Sequence, residues 1–402
     1  MHRARSHGLK LQCSPPKVKY AGVTSTRRHN EKGAVAITVA LLMTVLLGAA
    51  ALAIDVGYLF VVRNELQNAA DAAALAGAPC IYPRAECGNL TTAVPDWATA
   101  QAQAVQGVSL NKSSNKTLTG YATDVSYGYW DVTGSVSGLQ TSMPPSPAVG
   151  MPAVRVVVSR SATKNGGGVP SFVATIWGSQ SVPESAVAVA VVSNPGNVGS
   201  GGLFPVALTK CMYDQYWDST NGKPKTATST TPPGPGQPNQ TAGKPYTFYV
   251  TSSYHAGPCE AGQWTTFDTT ANDVPTVRNL VSNGNPDSAS IGSPAGVCSS
   301  PDGSCTYIQP GTKTTLYTAV NDCSASGNKA CEYVLVPVVQ DLTTTSYQRI
   351  LAFACVHVDG AVGGSSKYIQ MEMTNNPDKC QASGAGGVGP YYGALTPARL
   401  VQ

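Results

Sequence analysis

The residues of this chain best placed to do chemistry are its cysteines. There are eleven in 402 residues: Cys13 near the start, then Cys80, Cys87, Cys211, Cys259, Cys298, Cys305, Cys323, Cys331, Cys355 and Cys380. Cysteines in such numbers either ligate zinc or form disulfides. Zinc needs companions at short spacing, yet no C-x-x-C occurs, and the only histidines beyond residue 54 are His255 and His357. Three pairs instead flank turn-forming residues, in CIYPRAEC, CSSPDGSC and CSASGNKAC. That spacing predicts the local bridges Cys80–Cys87, Cys298–Cys305 and Cys323–Cys331. Elimination then leaves Cys211–Cys259 and Cys355–Cys380. Closing a short loop restricts the unfolded chain by about 2–3 kcal/mol, and ten paired cysteines imply an oxidising compartment.

Other chemical patterns fail on context. GAGGVG (Gly384–Gly389) matches the dinucleotide-binding G-x-G-x-x-G, but only 13 residues follow it, too few for the unit that the motif opens. The nucleophilic-serine pattern S-x-x-K occurs at Ser109, Ser113, Ser161 and Ser326, while its companion K-T-G is missing. NGNPD (Asn283–Asp287) opens like a calcium loop, then has Ser288 and Pro294 where Gly and Glu belong. Charged residues are only 12% of the chain, which leaves little material for general acid–base catalysis. His255 and His357 read as structural, as do Trp130, Trp177, Trp217 and Trp264. No catalytic residue, cofactor site or metal site is expected, and the chain is not expected to be an enzyme.

The elements that carry these residues begin with GAVAITVALLMTVLLGAAALAI, Gly33–Ile54. The 21 residues after Gly33 hold no charge and no proline, and eleven of them are Val, Ile, Leu or Met. A helix of that length covers roughly 30 Å, the hydrocarbon core of a bilayer. Asp55 is then expected at its outer edge, because an acid at the centre of a span costs about 2.5–3.5 kcal/mol. Residues 1–32 carry eight Lys or Arg against the single acid Glu31, a net +7, so the other 370 residues carry −3 of the total +4. The positive-inside bias keeps this tail in the cytoplasm and exports the remainder. An exported part with no basic excess excludes nucleic acid as a partner. A cleavable signal peptide stays open as an alternative, since Ala49–Ala53 offers small residues, although signal cores are usually shorter.

Helical character continues beyond the span. Leu59, Val62, Leu66, Ala69, Ala73 and Ala76 recur in steps of three and four, with Arg63, Glu65 and Asp71 off the stripe. Gly77 and Pro79 end the helix. A mostly Ala stripe allows close approach of a partner helix or of the chain's own sheet. A short helix is predicted over Asp96–Gln106, and strands over 117–131, Ala153–Arg160 and Val182–Val192, with a helical turn in PSFVATIWG (Pro170–Gly178). NPGNVGSGG (Asn194–Gly202) reads as a linker. Beyond it strands are predicted at Leu203–Leu208, Tyr246–Val250, Cys305–Gln309, Tyr333–Gln340, Ile350–Val358 and Tyr368–Met373, and Gly222–Pro245 as a loop with no means of packing. The fold class is α+β, with one N-terminal transmembrane helix continuing into a long helix and then a β-rich, disulfide-bonded ectodomain. The expected domains are a basic cytoplasmic tail (1–32), the span (33–54), its helical extension (55–78), an α+β domain (79–195), a linker (196–202) and a β-rich Cys-containing domain (203–402).

Lys32–Ala78 resembles the N-terminal region of TadG-like proteins of bacterial Flp (tight adherence) pilus assembly. The likeness rests on a span ending in Asp-x-Gly (Asp55–Gly57) followed by LQNAADAAALA (Leu66–Ala76). AVRVVVSR, PSFVATIWG and SAVAVAVV resemble the strand–helix–strand continuation of that family. The resemblance implies a single-pass bacterial inner-membrane protein with its bulk in the periplasm. Its implied role is non-enzymatic: to scaffold or anchor the pilus for adherence. The implied partners are the membrane, pilin-like subunits and the secretion channel, with self-association left open. A membrane-anchored binding module for a glycan or protein is the alternative reading. Gly33 before an apolar run is similar to a prepilin cleavage site, but Thr38 stands where pilins carry Glu, so neither cleavage nor polymerisation as a pilin is expected.

Overall fold

A computed structural model describes residues 32–90, 94–142, 150–171, 175, 181–251, 259, 262–271, 273–292, 298–309, 311, 313–343, 345–376, 378–384, 386–387 and 390–402. The basic tail up to Glu31, most of PSFVATIWG, Trp177 and His255 lie outside these residues. One helix, α1, runs from Lys32 to Gly77. Nothing in its 46 residues breaks it, because proline is absent and Ala and Leu lose little on entering a helix. A 3-10 turn, Ala78–Ile81, with Pro79 in its first positions, ends it. The chain forms two compact units, one up to Ile54 and one from Asp55 to Gln402. In the first, the large apolar side chains from Val35 to Ile54 are exposed, and the helix is long and apolar enough to cross a membrane.

Among the described residues the second unit holds two large sheets, with short two-stranded pairings beside them. The first contains β1 (Val125–Asp131), β2 (Leu139–Gln140), β3 (Gly150–Arg160) and β4 (Glu184–Val191). Their order is β2–β1–β3–β4, and the C-terminal strand Arg399–Leu400 adds to the free edge of β4, all antiparallel. Side chains alternate along β3, so Val154, Val156 and Val158 face one way, together with Ala186, Ala188 and Ala190 of β4. Onto that face pack the second half of α1 and helix α2 (Trp97–Ser109). Asp96 caps α2 by accepting from the Thr99 amide at 3.1 Å, so the helix starts one residue later than expected and runs three residues further.

The second sheet has the order β6–β10–β9–β8–β5–β7. Its strands are β5 (Val206–Thr209), β6 (Thr247–Val250), β7 (Gln263–Trp264), β8 (Tyr333–Val339), β9 (Ala352–Val362) and β10 (Tyr368–Met373). β8, β9 and β10 form an antiparallel meander, while β5 joins β8 in parallel. Three short helices were not anticipated: α3 (Lys210–Tyr216), α4 (Val274–Asn283) and α5 (Leu316–Cys323). Met212, Tyr213, Leu316, Tyr317 and Val320 from these helices bury against Val356, Val358, Ile369 and Met371 of the sheet.

The segment 196–202 lies inside the second unit, which is continuous across it. Asn197–Val198 pairs with Ala289–Ser290, and Asn194–Pro195 with Gly386–Gly387. Glycine is needed there, because a Cβ on Gly196 would stand 2.8 Å from the Gly387 Cα. The polar stretch 222–245 also packs, contrary to expectation. Gln240 is buried, donates to the Thr247 carbonyl at 2.9 Å and accepts from the Thr247 amide at 2.9 Å, standing in for a strand partner. Disulfides join Cys80 to Cys87, Cys211 to Cys259, Cys298 to Cys305, Cys323 to Cys331 and Cys355 to Cys380.

Candidate functional site

The stretch of α1 from Asp55 to Gly77 has three kinds of surface. On the first, Val62, Leu66, Ala69 and Ala73 are fully buried, joined by Ala70 and Ala74, while Leu59 is half-buried and Ala76 is exposed. Alanine is required where α2 crosses. A Cβ on Gly107 would stand 2.9 Å from the Ala73 Cα, and one on Gly77 would stand 2.8 Å from the Ala104 Cβ. The small residues therefore seat the helix on its own α2 and first sheet.

The second surface is polar and points back to the body. Gln67 donates to the Val187 carbonyl of β4 at 3.0 Å and to Asp71 at 2.7 Å. Glu65 accepts from the Ser114 amide at 2.7 Å and the Ser113 hydroxyl at 3.1 Å, and the Tyr58 hydroxyl donates to Ser114 at 2.8 Å. Asp55 is only 5% exposed and accepts from the Ser171 hydroxyl at 2.6 Å. The third surface is free. It begins with apolar side chains, Phe60 at 60% and Val61 at 53% exposure, and continues through Asn64, Asn68 and Ala72.

Elsewhere, Trp217 and Trp264 are buried in the core of the second sheet and Trp130 is half-buried on the first. His357 is on β9, facing away from the core residues Val356 and Val358. Its Nδ1 lies 2.9 Å from Asp359 Oδ1 and 3.5 Å from Glu372 Oε1, and its Nε2 lies 3.3 Å from Glu332 Oε1. Contact with Asp359 outweighs burial and raises the imidazole above its usual range. Burial, with Asp359 alongside, raises Glu372. Spacing in the sequence gave no sign of this group, since its members come from three strands and meet only through their register.

A cleft of about 750 Å³ opens beside β9, lined by Gln340, Tyr347, Gln348, Arg349 and Tyr392 among others. Its cations are already paired, Arg349 with Asp302 at 2.9 Å and Lys210 with Asp214.

Residues 33–79, which are α1 and the start of the turn after it, match the family described as Tad, Flp pilus-assembly TadE/G-like. The chain thus carries a TadE/G-like segment over 47 of its 402 residues. No curated protein and no solved structure matches it.

Proposed function

We propose that this protein is a non-enzymatic, single-pass component of the Flp/Tad pilus machine in a bacterial inner membrane. Its N-terminus is cytoplasmic, its disulfide-bonded bulk is periplasmic, and it scaffolds or anchors the pilus for adherence. The observation that carries this reading is the family match over residues 33–79. The +7 tail before the span supports the orientation, and five disulfides support the periplasm.

In this reading the membrane-proximal helix is integral to the folded body. Its buried stripe and its hydrogen bonds face inward, so a machine partner meets the free surface at Phe60, Asn64, Asn68 and Ala72. Asp55 is shielded by Ser171, and Phe60 and Val61 are exposed beyond it. The lipid edge in this reading falls at Asp55, where Ser171 of the body first meets the helix. Photo-crosslinkers placed singly at Asn68 and Ala72 in native membranes test this. Adducts with a pilin-like subunit or a secretion-channel protein are expected, and membranes rich in the protein that yield no such adduct would refute it.

The cleft beside β9 favours a second reading, a surface module that binds a glycan or protein through Tyr347 and Tyr392. Adherence that survives Tyr347→Ala with Tyr392→Ala would remove it.

A further inference from the structure

The face of the second sheet opposite α3 and α5 carries a set of side chains able to ligate a metal ion. β9 places His357 and Asp359 on one face, two residues apart. β10 sets Glu372 directly opposite His357, and on the other side Tyr333 of β8 pairs with His357, which brings the neighbouring Glu332 within reach. One ligand atom from each of His357, Asp359 and Glu372 lies within 4.8 Å of the other two. Among the described residues no other group of His, Cys, Asp and Glu meets that condition.

We infer that His357, Asp359 and Glu372 form a binding site for a divalent transition-metal ion of the zinc class, with Glu332 on Nε2 orienting the imidazole. Ligands bound at 2.0–2.2 Å around a tetrahedral ion stand about 3.3–3.6 Å apart. The separations at Nδ1, 2.9 Å to Asp359 and 3.5 Å to Glu372, are close to that range and need only small rotamer shifts. A second observation concerns Nδ1 itself. It is shut off from solvent, and although Asp359 is at ion-pair distance, neither carboxylate meets this nitrogen in hydrogen-bond geometry. A buried imidazole nitrogen 2.9 Å from one carboxylate and 3.5 Å from another can exchange its proton for a metal ion.

Charge points the same way. Glu332, Asp359 and Glu372 are each only 23–28% exposed, and one imidazole offsets at most one of three negative charges. A divalent ion that displaces the Nδ1 proton would lower the net charge of the group from −2 to −1. The donor set also selects among ions: an imidazole with carboxylates suits zinc, manganese or iron, whereas calcium and magnesium favour oxygen alone. Because the ligands come from β9 and β10, the ion would clip these two strands together. The site stands or falls independently of any pilus role.

The test uses the untagged full-length protein in detergent, stripped with a chelator and titrated with Zn²⁺. One ion per chain and a raised melting temperature are expected. His357→Gln and Glu372→Gln should each weaken binding at least tenfold and abolish the thermal shift, with disulfide mapping confirming that each variant is folded. If a variant fails to fold, Co²⁺ loaded into the wild-type protein still decides, because a four-coordinate imidazole–carboxylate site gives a visible absorption band that a loosely held aqueous ion lacks. No saturable binding, or binding unchanged in His357→Gln, would overturn the proposal and leave the group as a protonated histidine held by carboxylates.

Discussion

Ala73 shows how a residue can be read correctly in kind and left open in partner. Its place on a stripe of small residues is plain in LQNAADAAALA, and such a stripe admits any close neighbour. That the neighbour is α2 depends on Ala100, Ala104 and Gly107, some 30 residues further on, and no local pattern links the two segments. Buried as it is, Ala73→Leu must displace α2, an overpacking expected to cost about 1–3 kcal/mol. Ala72→Leu, on the free face, should change stability by less than about 0.5 kcal/mol. Thermal unfolding of the two variants compares them directly, and equal stability would contradict the packing. It follows that lost pili in an Ala69→Leu, Ala73→Leu double variant would report a damaged fold. Pili lost with Ala72→Leu while the fold survives would report a missing partner. His357 was legible only as a residue with no motif around it. Its neighbours Glu372 and Glu332 are assembled by strand register, which a single sequence does not display.

At the scale of elements, the long helix was legible because its signal is redundant: no charge, no proline, and a stop at Gly77–Pro79. Strand β4 was legible because Ala and Val alternate through it, and β3 because β-branched Val fills Val154 and Val156–Val158. Helices α3, α4 and α5 were missed because each spans only two or three turns inside a Ser-, Thr- and Asn-rich background. The start of α4 was nevertheless written in DVPT, where Asp273 accepts from the Thr276 amide at 2.8 Å and Pro275 occupies the first turn. The disulfides differ in what they restrain. The Cys211–Cys259 bridge closes 48 residues and Cys323–Cys331 closes 8. Loop entropy then predicts a loss of about 4 kcal/mol when the first pair is replaced by serine and about 2.5 kcal/mol for the second. Unfolding of the two double-serine variants should rank them in that order, and a reversed order would show that native-state contacts, not chain entropy, dominate.

For the whole molecule, the expected division at 196–202 rested on composition alone, since Asn-Pro-Gly and Gly-Ser-Gly-Gly look like a hinge. The chain instead returns. Its last strand pairs with β4, and the Thr396 hydroxyl donates to the Ser193 carbonyl at 3.1 Å, so the C-terminus closes the first sheet. Removing residues 397–402 should therefore destabilise the helix-bearing half of the unit. Faster proteolysis within residues 55–195 of the truncated protein would register this, and unchanged resistance would contradict it. Charge asymmetry across the span was fully legible, because a count of Lys and Arg needs no structure. The proposed pilus role rests on the TadE/G-like segment, and the most direct test is surface pilus abundance in a strain deleted for this protein. The account predicts that pili and adherence are lost and return with the wild-type chain. Normal pili in the deletion strain would contradict it.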